Sequence, residues 1–310
     1  MKVYRGIEGL KGVFNHPVVT LGNFDGVHSG HQQIFKIVKE EADASGSESL
    51  VFTFEPHPAK VLRPDLEHKT ISSLQDKIRL IEEYKIDGII LADFTIEFAS
   101  QHPSKFVKEV LCDTLNAGTI IVGHDFTFGK AKEGTINYLI KLGEDLGITV
   151  KVVEAKKIGG EIVSSTRIRK MIRDGDMKGA STFLGRYYSI TGRVVKGHSR
   201  GKSLGFPTAN LELHGELFPK DGVYAVYVKQ NERKLCGIAN IGIKPTFNDG
   251  KRTVEVNIFD FSESLYGQDL KLFFVERLRD ESFFKKPEDL SEQISKDILK
   301  AKGILGSSQK

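Results

Sequence analysis

The N-terminal half of the chain alternates short, continuous apolar runs with segments whose apolar residues recur at helical spacing. The runs are VVTLG, LVFTF, IDGIILADF, AGTIIVG and ITVKVVE, and all are rich in β-branched residues. The segments between them include 32–44, 73–84 and HPSKFVKEVLCDTLN, in which Pro103 falls in the first turn. Continuous apolar runs are typical of strands buried on both faces. This half is therefore predicted to be an α/β domain with a mainly parallel sheet and helices on both faces.

After about residue 184 the pattern changes to short strands that glycine, asparagine and aspartate turns separate. These strands are YYSITGRVVKG, GVYAVYVKQNERKLCGIANIG, RTVEVNIFDF and DLKLFFVERL, and they predict an antiparallel barrel or sandwich. A terminal helix follows, with Gly303 as its expected end and an apolar face of Leu290, Ile294, Ile298 and Ala301. We place the domain boundary near 183–186, after a helical stretch that begins around Ser165, which gives domains 1–184 and 185–310.

Composition agrees with two domains and limits the function classes. A chain of 310 residues exceeds what a single core usually supports. The net charge of +4 suits anionic small molecules, and the densest basic stretch, RIRKMIR, lacks the aromatic residues of a nucleic-acid surface. Only two cysteines occur, and no apolar run is long enough for a signal peptide or a membrane span. We expect a cytoplasmic protein with no nucleic-acid or membrane partner.

The stretch GNFDGVHSGHQQIF contains the strongest candidate chemistry in the N-terminal half. It follows the predicted strand VVTLG and precedes a predicted helix beginning at Gln32, so it forms a loop at the carboxyl end of a strand. Glycines let the backbone approach a phosphate, and a helix N-terminus favours an anion. His28 and His31 would add donors for charge that develops in a transition state. Two alternatives stay open: the histidines are metal ligands, for which no third ligand is evident, or they are ordinary polar loop residues.

Several further blocks resemble one known family. TLGNFDGVHSGH resembles the His-x-Gly-His motif of nucleotidyltransferases, and more specifically the N-terminal module of the bacterial bifunctional riboflavin kinase/FMN adenylyltransferase (FAD synthetase) family. FTFEPHP, VGHDFTFG and VSSTRIR follow in the family order. The second half resembles the riboflavin kinase module in GKSLGFPTANL, GVYAVYV, NIGIKPTF, VEVNIFDF, LYG and LRDESFF. The resemblance spans nearly the whole chain and implies a Rossmann-like nucleotidyltransferase domain followed by a kinase β-barrel with a terminal helix.

For the N-terminal module the resemblance implies an adenylyltransferase site. His28 and His31 would face the ATP phosphates as catalytic residues, and Asp125 and Phe126 would help to hold the flavin phosphate or ATP. His57 has a structural role or a contact. The remaining ATP- and phosphate-binding residues implied are Gly22, Asn23, Phe24, Asp25, Gly26, Ser165, Thr166 and Arg167. An alternative for the last three is a basic helix start in which Thr166 is the N-cap and the arginines are solvated.

For the C-terminal module the resemblance implies a kinase site, in which Glu255 is the general base and Thr208 and Asn210 hold the Mg²⁺ that accompanies ATP. The alternative for Glu255 is a solvated strand glutamate. Arg279 and Glu281 would lie near the flavin. The ATP-binding residues implied are Gly197, Gly201, Lys202, Gly205 and Pro207, in a glycine-containing stretch that does not match a Walker loop. The sequence departs from the usual family pattern at Lys202, Tyr187 and His198.

The resemblance therefore predicts an enzyme that uses ATP and Mg²⁺ to convert riboflavin to FMN and then FMN to FAD, with release of pyrophosphate. Its small-molecule partners would be ATP, riboflavin, FMN and FAD, and flavins would be substrates and products. Two alternatives are an enzyme in which only one module is active and a flavin- or nucleotide-binding regulator without turnover. The oligomeric state stays open.

Overall fold

The structure is a computed structural model that describes residues 1–196, 205–213, 217–243 and 252–307. Its contacts divide the chain into two compact units. The first unit contains Met1–Lys69 and Ser73–Ser164, and the second contains Thr70–Ser72 and Ser165–Lys310. We describe each unit by itself.

The first unit is built from strands that alternate with helices, as its apolar runs predict. Its strands are β1 (Lys2–Arg5), β2 (Val18–Leu21), β3 (Ser49–Glu55), β4 (Gly88–Asp93), β5 (Thr119–Gly123), β6 (Thr149–Val153), β7 (Lys157–Ile158) and β8 (Glu161–Ile162). Its α-helices are α1 (Ser29–Ser45), α2 (Pro58–Leu62), α3 (Leu74–Glu82), α4 (Ile96–Ala99), α5 (Pro103–Lys105) and α6 (Ile136–Leu146). A π-helix spans Phe106–Thr114, and a short 3₁₀ turn spans Lys130–Lys132.

Six of these strands form one sheet in the order β1-β4-β3-β2-β5-β6, and every neighbouring pair is parallel. Helices cover both faces. Leu50 and Phe52 of β3 pack in a cluster with the π-helix and α6, whereas Val51 packs in the opposite cluster with α1 and α3. The predicted α/β domain is confirmed. The strand order reverses between β2 and β5, and such a switch point opens a crevice at the carboxyl ends of the strands.

Three local features of the first unit differ from the sequence prediction. The edge strand β1 was not predicted, because three of its four residues are exposed and the strand carries no continuous apolar run. Helix α1 begins at Ser29 and not at Gln32. The segment after Pro103 becomes a π-helix, in which Leu115 N–H donates to the carbonyl of Val110 at 2.9 Å. Apolar periodicity predicts a helical segment but does not distinguish these hydrogen-bond patterns.

The second unit contains two helices, a barrel and a terminal helix. The helices are α7 (Ser165–Asp174), α8 (Met177–Leu184) and α9 (Pro287–Ser307). The strands are β9 (Tyr188–Val195), β10 (Ala209–Glu212), β11 (Gly222–Gln230), β12 (Arg233–Ile243), β13 (Arg252–Ile258) and β14 (Asp269–Arg279).

The six strands close into an antiparallel barrel in the order β10-β13-β12-β11-β14-β9. The barrel and its terminal helix confirm the predicted fold class. The expected end of the helix at Gly303 is wrong, because α9 continues to Ser307. Leu305 is buried against the barrel, and its carbonyl accepts the hydroxyl of Tyr227 at 2.9 Å. These contacts hold the last turn in place despite the glycine.

The helices α7 and α8 belong to the barrel unit by their contacts. Helix α8 lies against β9 and β14, and Lys178 pairs with Glu276 at 2.8 Å. The predicted boundary at residue 184 follows α8, whereas the compact units divide before α7. Whether residues 185–310 form an independent domain stays a prediction, since folding of a fragment is what tests it.

Candidate functional site

The loop between β2 and α1 is held in a narrow set of backbone conformations. Gly22 N–H continues the sheet ladder by donating to Phe52 O at 3.1 Å, and the Thr53 hydroxyl donates to the carbonyl of Asn23 at 3.3 Å. Phe24 has a φ of 48°, in the left-handed region that side chains rarely adopt. Its ring covers Gly22 so closely that a Cβ there would lie 2.9 Å from the ring. Glycine at position 22 is therefore required by the Phe24 ring.

The two histidines are positioned by the first turn of α1. His28 is the N-cap residue, and its Nδ1 accepts the backbone N–H of His31 at 3.3 Å. In the neutral ring this bond leaves the proton on Nε2, which makes that atom a donor. The His28 and His31 rings stack with centroids 3.5 Å apart, and Phe24 contacts His31 edge-on at 5.2 Å. The early start of α1 thus brings the paired imidazoles together.

Asp125 and Phe126 follow β5, the other strand at the switch point. The Asp125 side chain is 82% exposed, and Phe126 stacks on Phe128 with ring centroids 5.5 Å apart. Because β2 and β5 are adjacent and parallel, their following loops lie at the same edge of the sheet. The structure therefore places Asp125 and Phe126 at the edge that also carries the histidine loop. Their contact with a flavin or ATP stays a prediction.

A second group of polar residues, of which the sequence singled out Asp25 and His57 but not His68 and Lys77, lies beside the histidine loop. Asp25, His57 and His68 offer ligand atoms that all lie within 4.8 Å of one another. Lys77 of α3 is only 5% exposed, and burial lowers its pKa although Asp25 and Glu55 act to raise it. Asp25 was predicted from the loop motif, but His68 and Lys77 are distant in sequence and carry no motif of their own.

Ser165, Thr166 and Arg167 begin helix α7 in the second unit. The predicted helix start is confirmed, but Thr166 is the second helical residue, so the alternative in which it is the N-cap is wrong. The guanidinium of Arg167 lies over the Phe183 ring, 5.8 Å from its centroid. The role of these three residues in phosphate binding stays a prediction.

The candidate kinase residues form a polar row across three barrel strands. Glu255 of β13 is directly opposite Asn210 of β10 and Asn240 of β12. The side chains of directly opposed residues share one face, and their neighbours Val254 and Val256 are buried on the other face, as predicted. Thr208 Oγ1 lies 3.4 Å from Glu255 Oε2. Asn240 was missed, because strand register cannot be read from a single segment.

The turn that carries Thr208 is fastened to the barrel by Asn257. This side chain is 8% exposed, and its Nδ2 donates to the carbonyl of Pro207 at 2.8 Å. Gly205 has a φ of +83° and is open to solvent. The other predicted ATP-binding residues, Gly197, Gly201 and Lys202, lie outside the described residues, as does His198.

The side chains of Arg279 and Glu281 make contacts with different parts of the second unit. The Arg279 guanidinium makes a paired contact with Asp297 of α9, with Nε 2.9 Å and Nη2 2.9 Å from Oδ2, and Asp297 is only 4% exposed. Arg279 therefore fastens the end of β14 to the terminal helix. Glu281 instead accepts Asn240 Nδ2 at 3.1 Å and extends the polar row. A Cβ at Gly242 would lie 2.0 Å from Glu281 Oε1. Any larger residue at position 242 would therefore clash with the Glu281 carboxylate in its present position. Flavin contacts of both residues stay predictions.

Comparison with known protein families relates both units to enzymes that act on flavins. Residues 12–167 match the family model of FAD synthetase, and residues 184–305 match that of riboflavin kinase. Together with the loop of paired imidazoles and the polar row of the barrel, these matches define the class of protein. It is an ATP-dependent transferase with two modules that act on flavins. The chain belongs to the bacterial bifunctional riboflavin kinase/FMN adenylyltransferase family. Known members of this family align with it over nearly its full length.

These relatives come from several bacteria, and each aligns with most of the chain. A bifunctional riboflavin kinase/FMN adenylyltransferase of Buchnera aphidicola (subsp. Acyrthosiphon pisum) is 38% identical over 96% of this chain and 96% of its own length. The Escherichia coli K12 protein of the same description is 34% identical over 99% of this chain and 98% of its own. The Bacillus subtilis protein of the same description is 38% identical over 92% of this chain and 91% of its own length.

A solved structure shares the fold. It is described as a macrolide-efflux protein from Streptococcus pneumoniae, is 32% identical, and covers 96% of this chain and 97% of its own at a TM-score of 0.88. That description is at odds with the enzyme family, and the sequence relatives support the enzyme. Among the described residues, none of the helices has the length and apolar content that crossing a membrane requires.

Proposed function

We propose that this chain makes FAD from riboflavin in two steps at two separate sites. The barrel transfers the γ-phosphate of ATP to riboflavin and forms FMN. The sheet unit then joins the adenylyl group of a second ATP to FMN and releases pyrophosphate. The observation that carries this proposal is that each unit has its own polar site, one at the switch point and one across the barrel strands.

In the adenylyltransferase step, a phosphate oxygen of FMN attacks the α-phosphorus of ATP while the bond to pyrophosphate breaks. Negative charge grows on the α-phosphate and on the leaving group. His28 Nε2–H and the His31 ring donate to these oxygens, and the N-terminus of α1 adds its backbone dipole. The loop Gly22–Gly26 surrounds the phosphates. Asp125 and Phe126 hold the nucleotide or the flavin phosphate.

In the kinase step, Glu255 takes the proton from the 5′-hydroxyl of riboflavin as its oxygen attacks the γ-phosphorus of ATP, and ADP leaves. The base is on a rigid strand, so its position relative to the substrate is fixed. Asn240 and Glu281 lie on the side of Glu255 away from Asn210 and would orient the flavin end of the substrate. Arg279 keeps this end of the barrel attached to α9.

The donor set on the other side of Glu255 fits a magnesium ion. Thr208 Oγ1 and the Asn210 side-chain oxygen are both hard oxygen donors, the type that Mg²⁺ prefers. Thr208 and Asn210 would hold the ion, which when bound neutralises phosphate charge. Asn257 Nδ2 donates to the carbonyl of Pro207, and this bond keeps the neighbouring Thr208 in place.

A cytoplasmic location is part of the proposal. ATP is available there, and Cys112 and Cys236 are both free thiols, as a reducing compartment keeps them.

The experiment that tests the proposal follows three flavins in one reaction. The purified chain is incubated with riboflavin, ATP and Mg²⁺, and riboflavin, FMN and FAD are separated by chromatography. Transient FMN followed by FAD is expected. FMN that accumulates without FAD would mean that only the kinase module is active. No change of riboflavin and no conversion of supplied FMN would favour a binding protein without turnover.

A further inference from the structure

We propose that Asp25, His57 and His68 form a binding site for one divalent transition-metal ion of the zinc type. This site is separate from the magnesium ion of the kinase step, because all three residues belong to the first unit. The fold brings them together from three segments: the loop after β2, the residue before α2, and the connection between α2 and α3.

The three side chains are close together, and Asp25 and His57 are buried while His68 is half-buried. Their ligand atoms lie within 4.8 Å of one another, and Asp25 and His57 are only 2% and 8% exposed. The His57 and His68 rings stack with centroids 4.4 Å apart. Two imidazoles and one carboxylate at such distances are uncommon on a protein surface, where solvated side chains point apart.

The donor atoms select the class of ion. Two imidazole nitrogens and one carboxylate oxygen are suited to Zn²⁺ and its first-row neighbours, whereas Mg²⁺ and Ca²⁺ prefer sites made of oxygen alone. Three protein ligands also leave at least one coordination position for water or a substrate atom. We therefore use Zn²⁺ as the probe and Co²⁺ as its spectroscopic substitute.

Binding requires a small rearrangement around His57. Its Nδ1 accepts the backbone N–H of Ala59 at 3.1 Å, which places the proton of the neutral ring on Nε2. The ion needs an unprotonated nitrogen, so His57 must give up this bond. Helix α2 has five residues and none of them is buried, so it can adapt. Lys77 interacts electrostatically with Asp25, Glu55 and Lys60, so charges of both signs lie near the cluster.

Metal binding would also move the histidine loop. Ligand bonds of about 2.0–2.2 Å place the ligand atoms about 3–3.5 Å apart, so a pair of ligand atoms separated by as much as 4.8 Å must move about 1 Å closer together. Asp25 is three residues before His28 in the same loop. Because a misplacement of about 1 Å can reduce an enzyme rate by about 10²-fold, the bound ion should inhibit adenylyl transfer. This consequence rests on the proposed function, whereas the binding site does not.

The binding experiment uses the full chain without substrates. Zn²⁺ is titrated into wild-type protein, His68→Ala and the control His102→Ala in competition with a chromophoric chelator. His102 is an exposed histidine of the same unit, at the start of α5. We expect one Zn²⁺ per chain in the wild type and the control. The affinity of His68→Ala for Zn²⁺ should be about 10- to 100-fold weaker. Co²⁺ should give visible d–d absorption that His68→Ala loses.

Two outcomes of this titration overturn the proposed site. One is the lack of stoichiometric Zn²⁺ binding by the wild-type chain. The other is equal affinity of the wild type and His68→Ala, which would place the ion elsewhere, for example on a free cysteine. Circular dichroism of each variant shows that it is folded, and Asp25→Asn provides a second ligand variant with the same expected loss of affinity.

The activity experiment tests the link to the loop. Zn²⁺ should inhibit FAD formation from FMN in wild type and His102→Ala but much less in His68→Ala, at fixed excess Mg²⁺. FMN formation from riboflavin should be unchanged by the same Zn²⁺ concentration. Equal inhibition of all three proteins would overturn the coupling between the site and the loop. A chain that binds Zn²⁺ as expected but lacks adenylyltransferase activity with Mg²⁺ alone, before any Zn²⁺ is added, would instead contradict the proposed function.

Discussion

The two candidate sites are assembled in opposite ways. The site in the sheet unit is local, because the loop and first helical turn from Gly22 to His31 supply both imidazoles. The site in the barrel unit is distributed, because Thr208, Asn240, Glu255 and Glu281 come from four separate segments. The first depends on turn geometry and a helix cap, and the second depends on the register of strands.

This difference decides how each site can fail. The local site tolerates changes elsewhere in the sheet as long as Phe24, the glycine at position 22 and the His28 cap persist. In the barrel, a one-residue slip of β13 would move Glu255 to the buried face and Val254 or Val256 to the polar row. We therefore expect changes within the local site to affect one reaction sharply, and changes around the barrel to affect substrate binding and stability as well.

Replacing both His28 and His31 with alanine should have the largest effect. FAD formation from FMN should fall by about 10⁴-fold or more, since one transition-state donor typically contributes about 10²–10³. Conversion of riboflavin to FMN should continue at the wild-type rate, because the barrel residues are untouched. Rates of both half-reactions are measured by chromatography. A double variant that still makes FAD normally would remove the histidines from the mechanism.

Glu255→Gln should reduce FMN formation by about 10²–10⁴-fold, the usual contribution of a positioned general base. The amide keeps the shape of the side chain, so riboflavin and ATP should still bind. Thr208→Ala is the comparison: it should weaken binding of ATP with Mg²⁺ as well as turnover, and additional Mg²⁺ should partly restore activity. Both variants should convert supplied FMN to FAD. An unimpaired Glu255→Gln kinase would leave Glu255 as a solvated strand residue.

Two fragments test where the barrel domain begins. Residues 165–310 and 185–310 should both fold and phosphorylate riboflavin, but the shorter fragment should be less stable by about 2–4 kcal/mol, since loss of α8 removes the buried Phe183 and Leu184 side chains. Urea unfolding measures the difference. Equal stability would support the boundary at residue 184, and an insoluble longer fragment would mean that the barrel needs the sheet unit.

Gly242→Ala should affect the barrel site mildly. The new methyl group would displace the Glu281 carboxylate from Asn240, so we expect the KM for riboflavin to rise about tenfold with little change in stability, because the displaced group is an exposed side-chain end. Gly303→Ala in α9 is the matched control, since no atom other than the adjoining backbone of α9 lies within 4 Å of the added Cβ. It should stabilise the chain by up to about 1 kcal/mol and leave both reactions unchanged. A normal KM in Gly242→Ala would separate Glu281 from flavin binding.

The sequence predicted the architecture because both units show strong periodic patterns. Five of the sheet strands and five of the six barrel strands follow from apolar runs and turn residues, whereas the four-residue strand β10 (Ala209–Glu212) was not predicted. The histidine loop was also predictable, since its members are adjacent in sequence. Asn240, His68 and Lys77 were not, because their relation to Glu255 or Asp25 arises only from strand register and tertiary contact. The end of α9 was misjudged because burial of Leu305 outweighs the weak helix propensity of Gly303.

The most direct test of two independent sites is to mix two inactivated proteins. Glu255→Gln and the His28→Ala/His31→Ala double variant are each incubated with riboflavin, ATP and Mg²⁺, and then together in equal amounts. FAD is measured by chromatography after the same time. The account predicts almost no FAD from either variant alone and substantial FAD from the mixture, because FMN made by the double variant is used by Glu255→Gln. A mixture that accumulates FMN without FAD would contradict it.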